Sequence, residues 1–398
     1  MKENKKMGSF CVHELQDNRT TKPHQLPIYA TSSFEFENID QGMDIFSGKT
    51  KGHVYSRYGN PTIEVVAEKI ARLEAFGLDL DPKGMLFSSG MSAISTLMMA
   101  TLEKGDKILS QGNLYGGTTE LFTKIFSSFG IDLIMMDLHD LDKVAETIKA
   151  DPGIKMLYFE TPANPSMACV DIQGLADIAQ KYGRYSAIDN TFCTPYLQQP
   201  FKYGVDFIIH STTKYLNGHG NSIAGAIIGK DRELMETKIW QAMKLVGTNC
   251  NPWDAWLINN GIKTLELRMD RHSANAQLVA EYLEQHPKVI KTNYPGLASH
   301  PDHEIAKKQM AAFGGMLSFE IDGGLEPGIG FMNKIELCVL APTLGDVDTL
   351  ILHPASMSHM NIPREVRLSN GITDGLIRMS IGIENVEDII SDLENALK

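Results

Sequence analysis

A lysine stands where an apolar strand turns polar. Residues 205–225 read VDFIIHSTTKYLNGHGNSIAG, so the apolar run 205–209 gives way to His210, Ser211, Thr212, Thr213 and Lys214. Gly218, Gly220 and Gly225 follow. An amine carried into a buried strand end is costly unless it is neutralised or used. Desolvation lowers its pKa, and a free amine at neutral pH attacks carbonyls. The hydroxyls of Ser211 and Thr213, just before it, suit a phosphate. From this stretch alone, a lysine snorkelling to solvent explains the pattern equally well.

A carboxylate shifts that balance. Residues 184–192, RYSAIDNTF, form a second apolar strand that ends on Asp189. Asp189 precedes Lys214 by enough chain for one crossover between neighbouring parallel strands. Enzymes that use pyridoxal 5'-phosphate (PLP) pair an acid with its pyridine nitrogen and a lysine with its aldehyde. Taken alone, Asp189 reads as a helix cap or turn residue. The two strand ends together favour the cofactor.

Further residues are placed for the same chemistry. In HVYSRYGNPT (53–62), Tyr55 and Arg57 alternate on one side of an extended segment, as a phosphate-binding pair or an ordinary surface pair. The run MLFSSGMSA (85–93) is a strand, then Gly90 and Met91 opening a helix, whose N-terminus attracts anions. Tyr115, before Gly116 and Gly117, allows its ring close approach to a flat ligand, or packs in a turn. ETPANP (160–165) sets Glu160 and Asn164 at another strand end, where α/β sheets bind ligands. Arg378, inside the apolar run 376–383, calls for an anion: a substrate carboxylate or a structural partner. GMDIFSGKT (42–50) has the wrong glycine spacing for a nucleotide-binding P-loop and follows no strand.

The elements that position these residues alternate strand and helix from residue 62. Helical spacing covers 62–75, 118–128, 140–150 and 172–182, between strands at KILSQGN, IDLIMMD and MLYFET. That is the pattern of a mostly parallel sheet with helices on both faces. Helices near 231–246 and 252–285 lead to a second α/β unit with a helix near 328–335 and a last one at 386–397. Residues 1–60 lack helical periodicity and read as an arm of short extended pieces. The expected division is an arm at 1–61, a large α/β domain at 62–258 and a small C-terminal domain at 259–398.

Composition narrows the class. The 398-residue chain is 43% hydrophobic with a formal net charge of −12, which disfavours nucleic-acid backbones as partners. Its five scattered cysteines form no CxxC pair, as expected of free thiols in a reducing, cytoplasmic setting. No apolar run is long enough to span a membrane, and MKENKKMGSF lacks the core of a signal peptide. His300, His303, His353 and His359 lack a metal-ligand spacing, so no metal is expected.

Together YSRYGNPT, SSGMSA, LYGG, ETPANP, AIDNTF, HSTTKYLNGHG, GIKTLELRM, HPASMSH and GLIRMSIGIEN resemble the Cys/Met-metabolism family of PLP enzymes, the trans-sulfuration enzymes. The resemblance runs from about residue 25 to the end. It implies the PLP-dependent transferase fold (aspartate aminotransferase-like, fold type I) and a homotetramer built from active-site dimers. It also implies that the arm at 1–61 contacts a neighbouring subunit and that the large domain at 62–258 binds PLP. By that resemblance Lys214 binds the cofactor aldehyde and moves protons, and Asp189 meets the pyridine nitrogen. Tyr115 stacks on the ring and serves as an acid. Gly90, Met91, Ser211 and Thr213 form the phosphate cup, and Tyr55 and Arg57 reach the phosphate of the neighbouring subunit. Arg378 binds the substrate carboxylate with Asn164 and Thr343, and Glu160 is a supporting acid.

The family includes methionine γ-lyases, cystathionine γ-lyases, cystathionine γ-synthases and homoserine-ester sulfhydrylases. Methionine-directed members commonly carry a cysteine where Gly117 stands here. Cystathionine γ-lyases resemble this chain with charged residues at the positions of Val54 and Leu352, and a basic one at that of Glu120. Val54 and Leu352 suit a short thioether. The expectation is therefore γ-elimination of L-methionine or L-homocysteine to 2-oxobutanoate, ammonia and a thiol or sulfide. Cystathionine γ-lyase or γ-synthase activity, O-acetylhomoserine sulfhydrylation and, remotely, a non-catalytic scaffold are the alternatives.

Overall fold

The computed structural model describes residues 6–13, 23–361, 363–369 and 371–398. Its larger sheet, among the described residues, has seven strands in the order β1-β7-β6-β5-β4-β2-β3. They are β1 (Lys83–Phe87), β2 (Lys107–Ser110), β3 (Asp132–Met135), β4 (Ile154–Glu160), β5 (Tyr185–Asp189), β6 (Phe207–His210) and β7 (Gly225–Gly229). Strands β2 to β6 run parallel, and β7 is antiparallel to both β6 and β1. The expected crossover from Asp189 to Lys214 is present, since β5 and β6 are parallel neighbours.

Successive side chains of β4, β5 and β6 serve opposite faces. Leu157, Phe159, Ile188 and Ile208 pack with Val66 and Ile70 of α3 (Pro61–Glu74). Tyr158, Ala187, Phe207 and Ile209 pack on the other face with Ile94 and Leu97 of α4 (Gly90–Thr101). Both faces are covered, so these strands read as continuous apolar runs. Truncating a fully buried member such as Ile188 to alanine costs about 2–5 kcal/mol. Helix α3 starts where Asn60 accepts a bond from the Thr62 N–H and Pro61 presets the first turn. Helix α4 starts with a reciprocal Ser89–Ser92 capping box.

The smaller sheet follows the order β10-β11-β12-β9-β8. Its strands are β8 (Val289–Asn293), β9 (Met316–Ile321), β10 (Val339–Leu340), β11 (Leu350–Leu352) and β12 (Leu376–Ser380). Leu317, Phe319, Ile377 and Met379 pack against Val279 and Leu283 of the helix Leu265–Gln285 and Ile389 and Leu393 of the helix Val386–Leu397. All five cysteines are buried and unpaired. Among the described residues, no helix is long and apolar enough to cross a membrane, and no His/Cys/Asp/Glu cluster is arranged for a metal.

Local expectations needed correction in four places. The N-terminal segment contains helices α1 (Met7–Val12) and α2 (Ile39–Phe46) where only extended pieces were expected. Helix α2 is started by Asn38, whose side chain accepts from the Gln41 N–H, a cap too short-range to show as periodicity. Tyr55 and Arg57 do not alternate in a strand: the Tyr58 and Gly59 N–H groups both donate to the Tyr55 carbonyl, closing a turn. The segment 252–285 breaks into Pro252–Ile262 and Leu265–Gln285. The helix expected at 118–128 begins as Gly116–Glu120, widens to π turns at Leu121–Phe126 and ends in a tight turn at Ser127–Phe129.

Candidate active site

The carboxyl ends of β4, β5 and β6, the start of α4 and the loop before β11 enclose one cavity of about 480 Å³. Its lining includes Gly90, Met91, Tyr115, Glu160, Asn164, Asp189, Ser211, Thr213, Lys214, Thr343 and Arg378. Eleven of the residues singled out in the sequence thus converge from both sheets. A cavity of this size suits a cofactor or small ligand.

Lys214 follows the strand end of β6 and donates from Nζ to Thr343 Oγ1 at 2.7 Å. Burial, then the nearby Arg378 charge, holds its amine below the usual lysine value, against the pull of Asp346. The Thr343 carbonyl accepts from Arg378 Nη2 at 2.8 Å, so one threonine touches both the amine and the guanidinium. Burial lowers Arg378 to about 10, which leaves it cationic at neutral pH. Its Nε has no partner, and neither does the buried Oδ1 of Asn164. Both atoms retain hydrogen-bonding capacity at the cavity.

Asp189 accepts from the Thr191 N–H at 3.0 Å, and Thr191 Oγ1 accepts from the Ser211 N–H at 2.8 Å. Burial pushes the Asp189 carboxyl above its usual value, while Thr191 and His210 oppose the shift. Glu160 accepts from the Tyr115 N–H at 3.0 and 3.1 Å. Burial first, and then the Asp189 charge, holds Glu160 well above the carboxylate range. The Thr213 hydroxyl exchanges bonds with Ala224, donating to its carbonyl at 3.2 Å and accepting from its N–H at 3.1 Å.

Five expected residues lie outside this lining. Val54, Tyr55 and Arg57 sit on the N-terminal segment, and Arg57 donates to the Lys244 carbonyl beside the rings of Tyr55 and Tyr58. Leu352 is buried on β11 directly opposite Arg378 on β12. Gly117 lies against the Tyr115 ring, where a Cβ would stand 2.6 Å from Cε1. The sequence reading missed Ser89, Thr191, Ser222 and Asp346, all of which line the cavity. Thr191 was legible as a hydroxyl two residues past Asp189. Asp346 follows a glycine in a loop with no periodic signal.

The chain matches the model of the "Cys/Met metabolism PLP-dependent enzyme" family over residues 8–398. It belongs to that family. Among its relatives, the L-methionine gamma-lyase of Porphyromonas gingivalis is 45% identical over 372 residues, 93% of this chain and 92% of that one. The L-methionine gamma-lyase of Fusobacterium nucleatum subsp. polymorphum is also 45% identical, over 394 residues and 98% of each chain. The crystal structure of cystathionine gamma-lyase from Lactobacillus plantarum complexed with L-serine superposes with a TM-score of 0.90 at 39% identity, covering 98% of both chains.

The Cys/Met-metabolism cofactor can be tested against the residues present. Orphaned Arg378 Nε and Asn164 Oδ1 leave polar capacity at the cavity. At Gly90 a Cβ would come within 2.9 Å of Ser211 Cβ, so the helix start and the Ser211 loop close into a cradle that no larger residue fits. An amine, a carboxylate and an N-terminal helix end are the donor set that an aldehyde, a pyridine nitrogen and a phosphate require. The site fits PLP.

Proposed function

We propose that this enzyme carries out PLP-dependent γ-elimination on L-methionine or L-homocysteine, giving 2-oxobutanoate, ammonia and a thiol or sulfide. One observation carries the reading: Lys214, Asp189, Tyr115 and Arg378 line a single cavity at the strand ends. The 45% identical L-methionine gamma-lyases support the substrate class.

In this reading Lys214 holds the cofactor aldehyde, Asp189 the pyridine nitrogen, and Gly90, Met91, Ser211 and Thr213 the phosphate. Bound PLP supplies an electron sink for charge developing at the substrate Cα. Arg378 binds the substrate carboxylate through the guanidinium edge that Thr343 leaves open, with Asn164 beside it. The depressed amine of Lys214 accepts the Cα proton and later moves a Cβ proton. The Tyr115 hydroxyl donates a proton to the departing thiolate. Glu160 holds the Tyr115 backbone and so aims its ring. One water consumed per turnover completes the 2-oxo acid and ammonia.

Tyr55 and Arg57 act on the phosphate of a neighbouring subunit, in a homotetramer of active-site dimers. The exposure of Tyr55 and its absence from its own chain's cavity lining support that role. Residues 1–61 are the contacting arm, 62–258 the PLP-binding domain and 259–398 the small domain. The larger sheet ends at Gly229 and the smaller sheet begins at Val289, which supports a boundary between them. The enzyme acts in the cytoplasm.

Asp346 favours a second reading. A carboxylate in the cavity wall suits the distal ammonium of cystathionine. The test is to load the purified protein with PLP and offer L-methionine, L-homocysteine, L-cystathionine, and O-acetylhomoserine with sulfide. 2-Oxobutanoate and thiol are then quantified. We expect kcat/KM for methionine or homocysteine to exceed that for cystathionine. The reverse ranking, or faster γ-replacement than elimination, overturns the substrate assignment.

A further inference from the structure

Beneath the cavity, on the other face of the large sheet, a buried carboxylate touches two strand ends. Alternation along β5 and β6 places Asp189 on the α4 side, whereas His210, two residues after Ile208, falls on the α3 side. Glu74 ends α3 there. Its Oε1 lies 2.5 Å from His210 Nε2 and accepts from Asn190 Nδ2 at 3.0 Å. Glu74 and His210 are both 0% exposed. Asn190 is held further by Gln198, whose carbonyl accepts from Asn190 Nδ2 and whose Nε2 donates to Asn190 Oδ1, each at 3.0 Å.

A carboxylate removed this far from water is costly unless it is paired, so its retention calls for a task. The elimination steps use neither Glu74 nor His210. What Glu74 grips is the residue immediately after Asp189 and the residue at the end of the adjacent strand. The Asn190 N–H donates to the Ile209 carbonyl at 2.9 Å, tying the same two strand ends through the backbone. Charge points the same way, because His210 favours the ionised form of Asp189 against the burial that disfavours it.

We propose that Glu74 and His210 are positioning residues for the cofactor, which hold Asp189 in place and ionised to receive a protonated pyridine nitrogen. The proposal rests on the reading of Asp189 as the ring-nitrogen partner. The ligand it concerns is a phosphorylated pyridine, whatever substrate is turned over.

The test is binding to apoprotein, read by absorbance titration with PLP and with 4′-deoxypyridoxine 5′-phosphate, which lacks the aldehyde and cannot bond to Lys214. Glu74→Gln keeps an oxygen for Asn190 and removes the charge. It should weaken both ligands by about tenfold or more, the scale of losing a group that supports a ligand shell. In an Asp189→Asn background the same change should cost little further. Unchanged affinity in Glu74→Gln overturns the proposal, as does an equal loss in both backgrounds, which marks a general structural role. If Glu74→Gln does not fold, His210→Gln and Asn190→Ser carry the same expectation. Absence of binding by the unmodified protein, or full binding by Asp189→Asn, would instead sink the underlying cofactor reading.

Discussion

Gly117→Ala isolates the geometry of the proposed acid. Gly117 lies in the helix Gly116–Glu120, so alanine meets no backbone strain there. Its side chain does meet the Tyr115 ring. A Cβ built at this position stands 2.6 Å from Tyr115 Cε1, 3.2 Å from Cζ and 3.3 Å from Met91 Sδ. Carbon contacts are comfortable at about 3.5–4.0 Å, so the ring must retreat by about 1 Å. Tyr115 is 50% exposed and has room to swing outward. Overpacking a closed core costs about 1–3 kcal/mol, but an open ring relieves most of that by moving. Stability should therefore change little.

Catalysis should not be spared. A displacement of about 1 Å in a reacting group costs roughly 10²-fold in rate. We expect kcat for L-methionine elimination to fall by about that factor, with the melting temperature nearly unchanged. Steady-state kinetics and a thermal melt on the PLP-loaded protein read both. In a Tyr115→Ala background the same substitution should have almost no effect, because the colliding ring is gone. Full activity in Gly117→Ala, or an equal loss without the ring, would refute the reasoning.

Other outcomes follow from the same geometry. Lys214→Ala should lower turnover by about 10⁴-fold or more and abolish borohydride-stable attachment of PLP to the chain. Mixing Arg57→Ala chains with Lys214→Ala chains should restore part of the activity. No recovery in hybrids verified by native mass would place the phosphate contacts within one chain. Leu352→Glu sets a carboxylate directly across from Arg378, so KM should rise for every amino-acid substrate, cystathionine included. Selective gain toward cystathionine would show that the introduced charge reaches the substrate's far end instead. His139 bonds to Asp302 and Asp137, which raise its pKa to about 9 from the usual 6.5. That contribution is full below about 6.5 and is lost as pH rises through about 9. Between about pH 7 and about pH 10 the unmodified protein should lose roughly a degree or two more of melting temperature than His139→Gln.

The larger sheet was legible because its strands are buried on both faces. Continuous apolar runs such as IKMLYFE and FIIH leave little choice of state, and the switch to polar residues at their carboxyl ends marks the end of the sheet that carries the cavity. That is why Asp189 and Lys214 could be paired from their strand ends, whereas the role of Glu160 came from the family resemblance. Features set by single capping bonds were not legible. Helix α2 depends on Asn38, and the turn at Tyr55 depends on two backbone bonds, neither of which leaves a period in the sequence.

Specificity is harder for a different reason. Leu352 reads from the sequence as an apolar pocket wall, yet the β11–β12 register makes it the cross-strand neighbour of Arg378. Under the proposed function, a side chain in that place would act on the substrate by setting where the guanidinium points and what competes for it. Asp346, invisible as a motif, brings the one kind of group that an apolar reading of the cavity leaves out. Its influence on Lys214 is opposed to that of Arg378. Under the proposed function, the balance of those two charges around the amine is expected to set tolerance for a substrate with a second ammonium more than the width of a thioether pocket does. Charge placed at the cavity wall outweighs a missing methylene contact, which is worth only about 1–3 kcal/mol.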